Sequence, residues 1–145
     1  MSYQIRAAKE IDAPYIYNFI CLLEETRFEY PVFESIYKLN IINKDYHYLV
    51  AVSGAGTIIG FISCHTQNLL HHCGKVAEIQ ELFVDDRYRN LGVGGHLVRS
   101  LNEILLNTSC TSFEVTAQNK RIQTHAFYEW LGFACTHKKF VKQMV

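Results

Sequence analysis

Several features that mark specialised classes of protein are missing from this 145-residue chain. Lys plus Arg and Asp plus Glu each number 14, so no net field favours nucleic acid or an anionic membrane. No apolar run is long enough to cross a bilayer, and residues 1–4 begin no signal peptide. Prolines number only two, and no repeat or linker divides the chain. We therefore expect one domain over residues 1–145, located in the cytoplasm, with neither nucleic acid nor membrane as a partner.

The cysteine pattern argues against two further classes. The cysteines are odd in number, widely spaced and without a C-x-x-C pair; they are Cys21, Cys64, Cys73, Cys110 and Cys135. A disulfide framework or a zinc site would need closer or paired spacing. The sequence therefore predicts reduced thiols.

The most informative stretch is residues 75–99. Residues 75–84 predict a strand that breaks at Asp85-Asp86, and a helix is expected to begin near Gly94, with apolar residues at helical spacing. Between strand and helix lies a glycine-rich loop, Arg89-Asn90-Leu91-Gly92-Val93-Gly94-Gly95. Such a loop bares backbone N–H groups, and the helix dipole adds partial positive charge. We therefore predict a pyrophosphate site here.

Three phosphate-binding patterns compete for this loop. A P-loop run of Gly, four residues and Gly-Lys-Ser/Thr does not occur, and the dinucleotide pattern G-x-G-x-x-G fails because position 97 is Leu97. The pattern R-x-x-G-x-G fits through Arg89, Gly92 and Gly94. A plain strand-to-helix turn is the ordinary alternative. With this motif the chain resembles the GNAT superfamily of N-acetyltransferases, which implies acetyl-CoA as co-substrate.

The remaining segments predict an α+β fold with one mixed sheet. Strands are expected at 4–7, 46–52, 57–67, 113–116 and 136–144, and helices after Asp12 (as its N-cap), at 33–43 and at 121–131. Residues 24–31 are expected to be a mobile connection. The order of elements is similar to that of the GNAT superfamily, which implies a mostly antiparallel central sheet flanked by helices on both faces.

The central strand carries two carboxylates, and regular alternation puts Glu78 and Glu81 on opposite faces. They are therefore not expected to form an acid/base dyad, and a salt bridge plus a solvent-facing side chain is the ordinary alternative. The resemblance implies more. It implies Glu78 as general base for the attacking amine, with Glu81 orienting the amine or activating it through water.

The resemblance extends to the second half of the chain, through Asn119, then Ala126-Phe127-Tyr128, then Gly132-Phe133. It implies Tyr128 as general acid for the departing thiolate, although an ordinary amphipathic tyrosine is the alternative. Helical spacing groups Ile122, Ala126, Phe127 and Trp130 in an apolar stripe, with Tyr128 off that stripe. A bulge in the central strand is also implied. The residues implied to bind acetyl-CoA are Leu82, Phe83, Val84, Arg89, Asn90, Leu91, Gly92, Val93, Gly94, Gly95, Asn119 and Tyr128.

Within the superfamily, the chain resembles the aminoalkylphosphonate N-acetyltransferases. The resemblance lies in His71-His72, in residues 78–82 and in Asn119-Lys120-Arg121. It implies a small amine such as aminoethylphosphonate as substrate, bound by His71, His72, Lys120 or Arg121, and a divalent cation without assigned ligands. The chain departs from that group between residues 24 and 60.

Several alternatives stay open at this point. The acceptor could instead be a polyamine, an amino sugar or a peptide N-terminus, and a non-catalytic acyl-CoA-binding module is a second class of function. A cysteine nucleophile such as Cys64 or Cys73 is disfavoured, because no cysteine belongs to the superfamily's motifs. Relatives often pair through sheet edges, so a homodimer formed through residues 140–144 is a further expectation.

Overall fold

The protein is built on one five-stranded sheet whose strands lie in sequence order, β1-β2-β3-β4-β5. A computed structural model describes residues 2–119 and 121–144. The strands are β1 Tyr3–Ala7, β2 Tyr46–Ser53, β3 Ile58–Leu69, β4 Gly74–Val84 and β5 Cys110–Val115, and the helices are α1 Ala13–Glu24, α2 Tyr30–Ile41, α3 Val93–Leu106 and α4 Ile122–Trp130. β1 to β4 pair antiparallel, and β5 joins β4 in parallel. The predicted mixed, mostly antiparallel sheet is confirmed.

Helices cover both faces of this sheet, as predicted. On one face, α3 packs across the strands and buries Leu97, Val98 and Leu101 against Ile62 and Ile79. On the other face, α1 and α2 bury a second apolar cluster of Ala13, Ile16, Phe19, Tyr37, Val50, Ile58, Phe61 and Phe83. Each helix has one apolar stripe, so the sheet between them is apolar on both sides over its middle strands. No helix in the described ranges is long and apolar enough to span a membrane.

The predicted final strand at 136–144 is wrong. These residues belong to no strand, and Phe140 and Met144 are 93% and 87% exposed. Phe140 and Val141 are neighbours, so an extended chain would turn them to opposite sides and bury neither face fully. The segment therefore gains too little apolar burial to offset the cost of ordering a sixth strand.

Asp12 occupies the predicted N-cap position of α1, but its side chain makes no capping hydrogen bond there. Its carboxylate turns back instead and accepts hydrogen bonds from both guanidinium nitrogens of Arg6, at 2.7 and 3.0 Å, and from the Lys9 N–H at 2.8 Å. Burial opposes ionisation, but these donors outweigh it and hold the pKa of Asp12 below its usual range. The residue ties β1 to the turn before α1.

The connection between α1 and α2 is shorter than predicted. α2 begins at Tyr30, with Pro31 in its first turn, where a missing N–H has no intrahelical partner to lose. The Tyr17 hydroxyl donates to the Phe28 carbonyl, and the Thr26 N–H donates to the Cys21 carbonyl at 3.1 Å. This segment is therefore anchored at both of its ends.

Candidate active site

The strands β4 and β5 separate partway along β4 and leave half of it with one open edge. β5 pairs with β4 only as far as Ile79, and in the described residues Gln80–Val84 have no strand beside them on that edge. The N–H of Asp85 donates to the Ile59 carbonyl of β3 at 2.9 Å. Because backbone direction alternates along a strand, the peptide groups of Leu82 and Val84 point away from β3 and into the opening.

A bulge reverses the side-chain alternation of β4 at the point where the strands separate. Ser63 of β3 pairs with Glu81 and the next residue, Cys64, pairs with Ile79, which leaves Gln80 as the extra residue. Glu78 and Glu81 therefore share the face of the sheet covered by α1 and α2. The expectation that they lie on opposite faces is wrong, because it assumed unbroken alternation.

The opening between β4 and β5 is the mouth of a large groove of about 970 Å³. Its walls come from the end of β4, the residues after β5, the start of α3, one side of α4 and the end of α1. Among the predicted coenzyme-binding residues, those that line it are Leu82, Phe83, Val84, Arg89, Asn90, Gly92, Val93, Gly94, Gly95 and Tyr128. Leu91 is exposed and Asn119 is exposed, and neither lines the groove.

The glycine-rich loop presents the start of α3 to this groove. Gly92, with φ of 81°, lies immediately before the helix, and the first intrahelical bond runs from the His96 N–H to the Gly92 carbonyl at 3.0 Å. The preceding N–H groups, from Val93 to Gly95, have no acceptor within the helix. A Cβ on Gly94 would lie 3.4 Å from the Phe127 ring and 3.7 Å from Val84, so a side chain there would narrow the groove. The arrangement suits an anion at a helix N-terminus.

Arg89, the first residue of the R-x-x-G-x-G motif, fixes the loop to the strand. Its Nε donates to the Val84 carbonyl at 2.9 Å, and its guanidinium pairs with Asp86 at 2.8 Å. The arginine therefore occupies one backbone acceptor of the open edge. The Leu82 peptide group stays directed into the groove.

Glu81 lies in the wall between the groove and a second cavity, and it lines both. The Ser63 hydroxyl donates to its carboxylate, and the Glu81 N–H donates to the same Ser63 oxygen at 3.0 Å. Burial raises the pKa of Glu81, the Ser63 bond opposes that rise, and the charge of Glu24 adds to it. A half-buried carboxylate with a raised pKa is a group that accepts and returns protons closer to neutral pH than an exposed one does.

Glu78 has a different setting, although it lies on the same strand and face. It lines neither of the two cavities, and its carboxylate accepts from the Thr116 hydroxyl at 3.3 Å and from the Gln80 amide at 3.3 Å. Across the hairpin it pairs in register with His65. Glu78 therefore lies beside the site rather than in its wall.

Tyr128 lies on the buried side of α4, contrary to the predicted stripe. The stripe residues Ile122 and Trp130 are each 75% exposed, whereas Tyr128 is 7% exposed and packs edge-on against Phe127 and Phe133. With so short a helix, the aromatic contacts made by Tyr128 outweighed the sequence pattern. Burial raises its pKa to about 12, so the phenol holds its proton at neutral pH while its ring lines the groove.

Of the predicted substrate-binding residues that the structure describes, only Arg121 lines the groove. Its guanidinium donates to the Leu23 carbonyl at the end of α1, at 3.0 Å. His71 and His72 lie before β4 and line neither cavity, and His72 contacts Glu114 at 3.5 Å. Gly74 and Glu81 are seven residue steps apart along the strand, roughly 23 Å at ~3.3 Å per step. Lys120 lies outside the described residues.

The second cavity, which sequence reasoning missed, has a volume of about 290 Å³ and lies between α1, α2 and the sheet. A polar chain runs along one wall: the Asn40 amide donates to the Tyr48 hydroxyl at 2.8 Å, and that hydroxyl lies 2.9 Å from Nε2 of His65. The sequence signal for this polar wall lay in the predicted β2–β3 hairpin. Its register sets Tyr46 opposite His65 and Tyr48 opposite Ser63, on one face.

Comparison with known proteins gives this architecture a family. The model of the acetyltransferase (GNAT) family matches residues 12–133. The chain belongs to the GNAT family. It is 30% identical over 141 residues to the aminoalkylphosphonate N-acetyltransferase of Salmonella typhimurium, with 97% of this chain and 91% of that protein covered.

Solved structures agree on the fold. A Bacillus halodurans protein described as a transcriptional regulator superposes with a TM-score of 0.89 at 22% identity, covering 99% of this chain and 100% of that one. An aminoglycoside 6'-N-acetyltransferase of Acinetobacter baumannii superposes with a TM-score of 0.86 at 20% identity, covering 99% of each chain. The solved structures confirm the GNAT fold, and the family match together with the Salmonella relative confirms an acyltransferase function. GNAT acetyltransferases in general use acetyl-CoA.

The divalent cation implied by the closer resemblance finds no site that fits it. Across residues 2–119 and 121–144, no three side chains of His, Cys, Asp or Glu converge as metal ligands. His71 and His72 adjoin each other, but their only carboxylate contact is the one between His72 and Glu114. We therefore derive no catalytic step through a metal.

Proposed function

We propose that this protein transfers the acetyl group of acetyl-CoA directly to the primary amine of a small molecule. The observation that carries the proposal is the position of Glu81, a half-buried carboxylate in the wall shared by the groove and the second cavity. One cavity suits a long ligand with a diphosphate, and the other suits a small acceptor. The carboxylate lies where the two ligands would meet.

For acetyl-CoA, the groove offers two kinds of backbone contact. The diphosphate would bind the N–H groups at the start of α3, between Gly92 and Gly95. The pantetheine amides would pair with the open edge of β4 around Leu82 and Val84, as an added strand would. This placement directs the thioester toward Tyr128.

The nitrogen must lose two protons and the sulfur must gain one. An alkylammonium ion has no free electron pair, so it first gives one proton to water, and Glu81 takes the second proton from the nitrogen as the neutral amine attacks the thioester carbon. The new C–N bond forms and the C–S bond breaks, and the Leu82 N–H stabilises the charge that develops on the carbonyl oxygen. Tyr128 donates its proton to the departing thiolate and recovers one through water from the protonated Glu81. We propose Glu81 rather than Glu78 as the base, because Glu81 borders both cavities and Glu78 borders neither.

The acceptor is a separate part of the proposal. The relative from Salmonella is described as acting on aminoalkylphosphonates, and at 30% identity it makes such an amine a candidate substrate for this chain. A polyamine, an amino sugar and a peptide N-terminus are the other candidates. We expect many of the departures from that group to lie between residues 24 and 60, a range that includes α2 and part of the second cavity.

The test measures binding and turnover separately. Isothermal titration with acetyl-CoA should give saturable heat, and release of free thiol should accelerate on addition of amines from a panel covering the four candidate classes. Saturable binding with no amine-dependent thiol release would favour a non-catalytic acyl-CoA-binding module. Absence of acetyl-CoA binding would refute the proposal.

A further inference from the structure

The walls of the second cavity are mainly apolar and aromatic. They are formed by Ile16, Ile20, Phe33, Ile36, Tyr37, Asn40, Tyr48, Phe61, His65, Gln80 and Glu81. None of these lining residues, all within the described part of the chain, is Lys or Arg. The nearest lysine on α2, Lys38, faces outward and pairs with Glu10 at 3.4 Å and Glu34 at 3.7 Å. The cavity therefore brings no permanent positive charge to a ligand.

Apart from the Glu81 carboxylate, the polar groups of its walls are neutral. Burial lowers the pKa of His65, and burial raises the pKa of Tyr48 to about 12. Since the Tyr48 oxygen accepts from Asn40, its hydroxyl proton is free to bond Nε2 of His65, which assigns the imidazole proton to Nδ1. The imidazole also stacks on Tyr46, with ring centroids 3.6 Å apart. This wall offers hydrogen bonds and flat aromatic surface.

We propose that the second cavity binds the acceptor as an amine with a small, uncharged, flat or apolar body, and that it disfavours an anionic body such as a phosphonate. This inference rests on the proposed acetyl transfer. The ammonium end would approach Glu81, the one carboxylate in the walls, and the body would lie against the isoleucines and aromatic rings. A phosphonate would lose its water without gaining a cationic partner.

The volume limits the size of that body. About 290 Å³ is at the lower end of the range for small-molecule pockets, ~300 to 1,000 Å³. A single ring on a short alkyl chain, as in phenethylamine, meets this limit. A long polyamine or an aminoglycoside does not.

The experiment compares phenethylamine with 2-aminoethylphosphonate at saturating acetyl-CoA. We expect kcat/KM for phenethylamine to be at least about tenfold higher, the effect of one unmet charge in a buried site. Equal values, or a preference for the phosphonate, would overturn the inference and leave the proposed acetyl transfer intact.

A matched pair of variants sharpens the test. Ile36 lies at the mouth of the cavity on α2 and is 55% exposed, so Ile36→Lys adds a cation with little risk to folding. We expect this variant to shift the ratio of the two kcat/KM values toward the phosphonate by roughly tenfold. Leu39→Lys is the control, because Leu39 lies on the same helix, is 68% exposed and does not line the cavity. An equal shift in both variants would contradict the proposed position of the acceptor.

If neither amine is acetylated, binding gives the answer. Phenethylamine should still give saturable heat with the protein loaded with coenzyme A, and Ile36→Lys should weaken it more than Leu39→Lys does. No heat from phenethylamine would overturn the inference. Thiol release with some other amine would at the same time preserve the proposed acetyl transfer.

Discussion

The two halves of β4 have the same neighbour on one side and opposite situations on the other. Residues 75–79 pair with β3 and with β5, whereas residues 81–84, beyond the bulge at Gln80, pair with β3 alone. The first half satisfies its backbone within the sheet, whereas the second half directs the Leu82 peptide group into the groove, with no strand beside it in the described residues. Each half carries one glutamate, Glu78 or Glu81, on the same face. The comparison teaches that strand pairing, more than residue type, separates scaffold from site along one strand.

The sharpest way to break this comparison is to neutralise each glutamate in turn. We expect Glu81→Gln to lower turnover by about 10²- to 10³-fold, because the base is lost while shape is kept. Glu78→Gln should change turnover by less than about threefold, since Glu78 borders neither cavity. Both are checked by amine-dependent thiol release at saturating substrates. The reverse order of effects would return the role of base to Glu78.

A second prediction concerns Tyr128, which lines the groove. Tyr128→Phe should lower turnover by roughly 10- to 100-fold, because the thiolate then departs without a proton donor. The affinity for acetyl-CoA, measured by calorimetry, should change little, since the ring and its packing against Phe133 remain. Unchanged turnover with a good substrate would remove Tyr128 from the mechanism.

A third prediction tests whether the glycine-rich loop and residues 81–84 of β4 both bind acetyl-CoA. Gly94→Val places a branched side chain against Phe127 and Val84, which both line the groove. We expect the dissociation constant for acetyl-CoA to rise about tenfold or more, as steric exclusion from a tight site requires. Thermal unfolding of the unliganded variant is the control, because a large loss of stability would indicate damage to α3 instead.

The smallest expected effect concerns Ser63 of β3, which pairs with Glu81. Its bond to Glu81 lowers the pKa of that carboxylate, so Ser63→Ala should let burial raise the pKa further. The acid limb of kcat/KM would then move to higher pH, because the base stays protonated over a wider range. A pH profile checks this. A lower plateau with an unmoved limb would indicate a structural role only.

Much of the fold was predictable from the sequence, because periodic apolar patterns determine most of the elements. The loop before α3 was predictable as well, since its glycines, its arginine and the following helix are adjacent in sequence. The final strand was not, because Phe140 and Met144 found no apolar face to cover.

The face of β4 on which Glu78 and Glu81 lie was harder to predict, for a local physical reason. The bulge at Gln80 inserts one residue into the pairing, and no residue type near it signals an insertion. Glu78 and Glu81 were therefore placed on opposite faces. The second cavity forms where three elements distant in sequence, α1, α2 and β3, meet. Of its features, only the hairpin register that places His65 near Tyr48 could be predicted from the sequence.

The bond from Arg121 to the Leu23 carbonyl joins residues 98 positions apart, and both line the groove. It links the end of α1 to the residue that precedes α4. A charged hydrogen bond of this kind contributes about 1.5 to 3 kcal/mol, which corresponds to roughly one opening per ten to hundred closed molecules. Breaking this bond requires only a rotation of the Arg121 side chain, because neither Arg121 nor Leu23 belongs to a strand of the sheet.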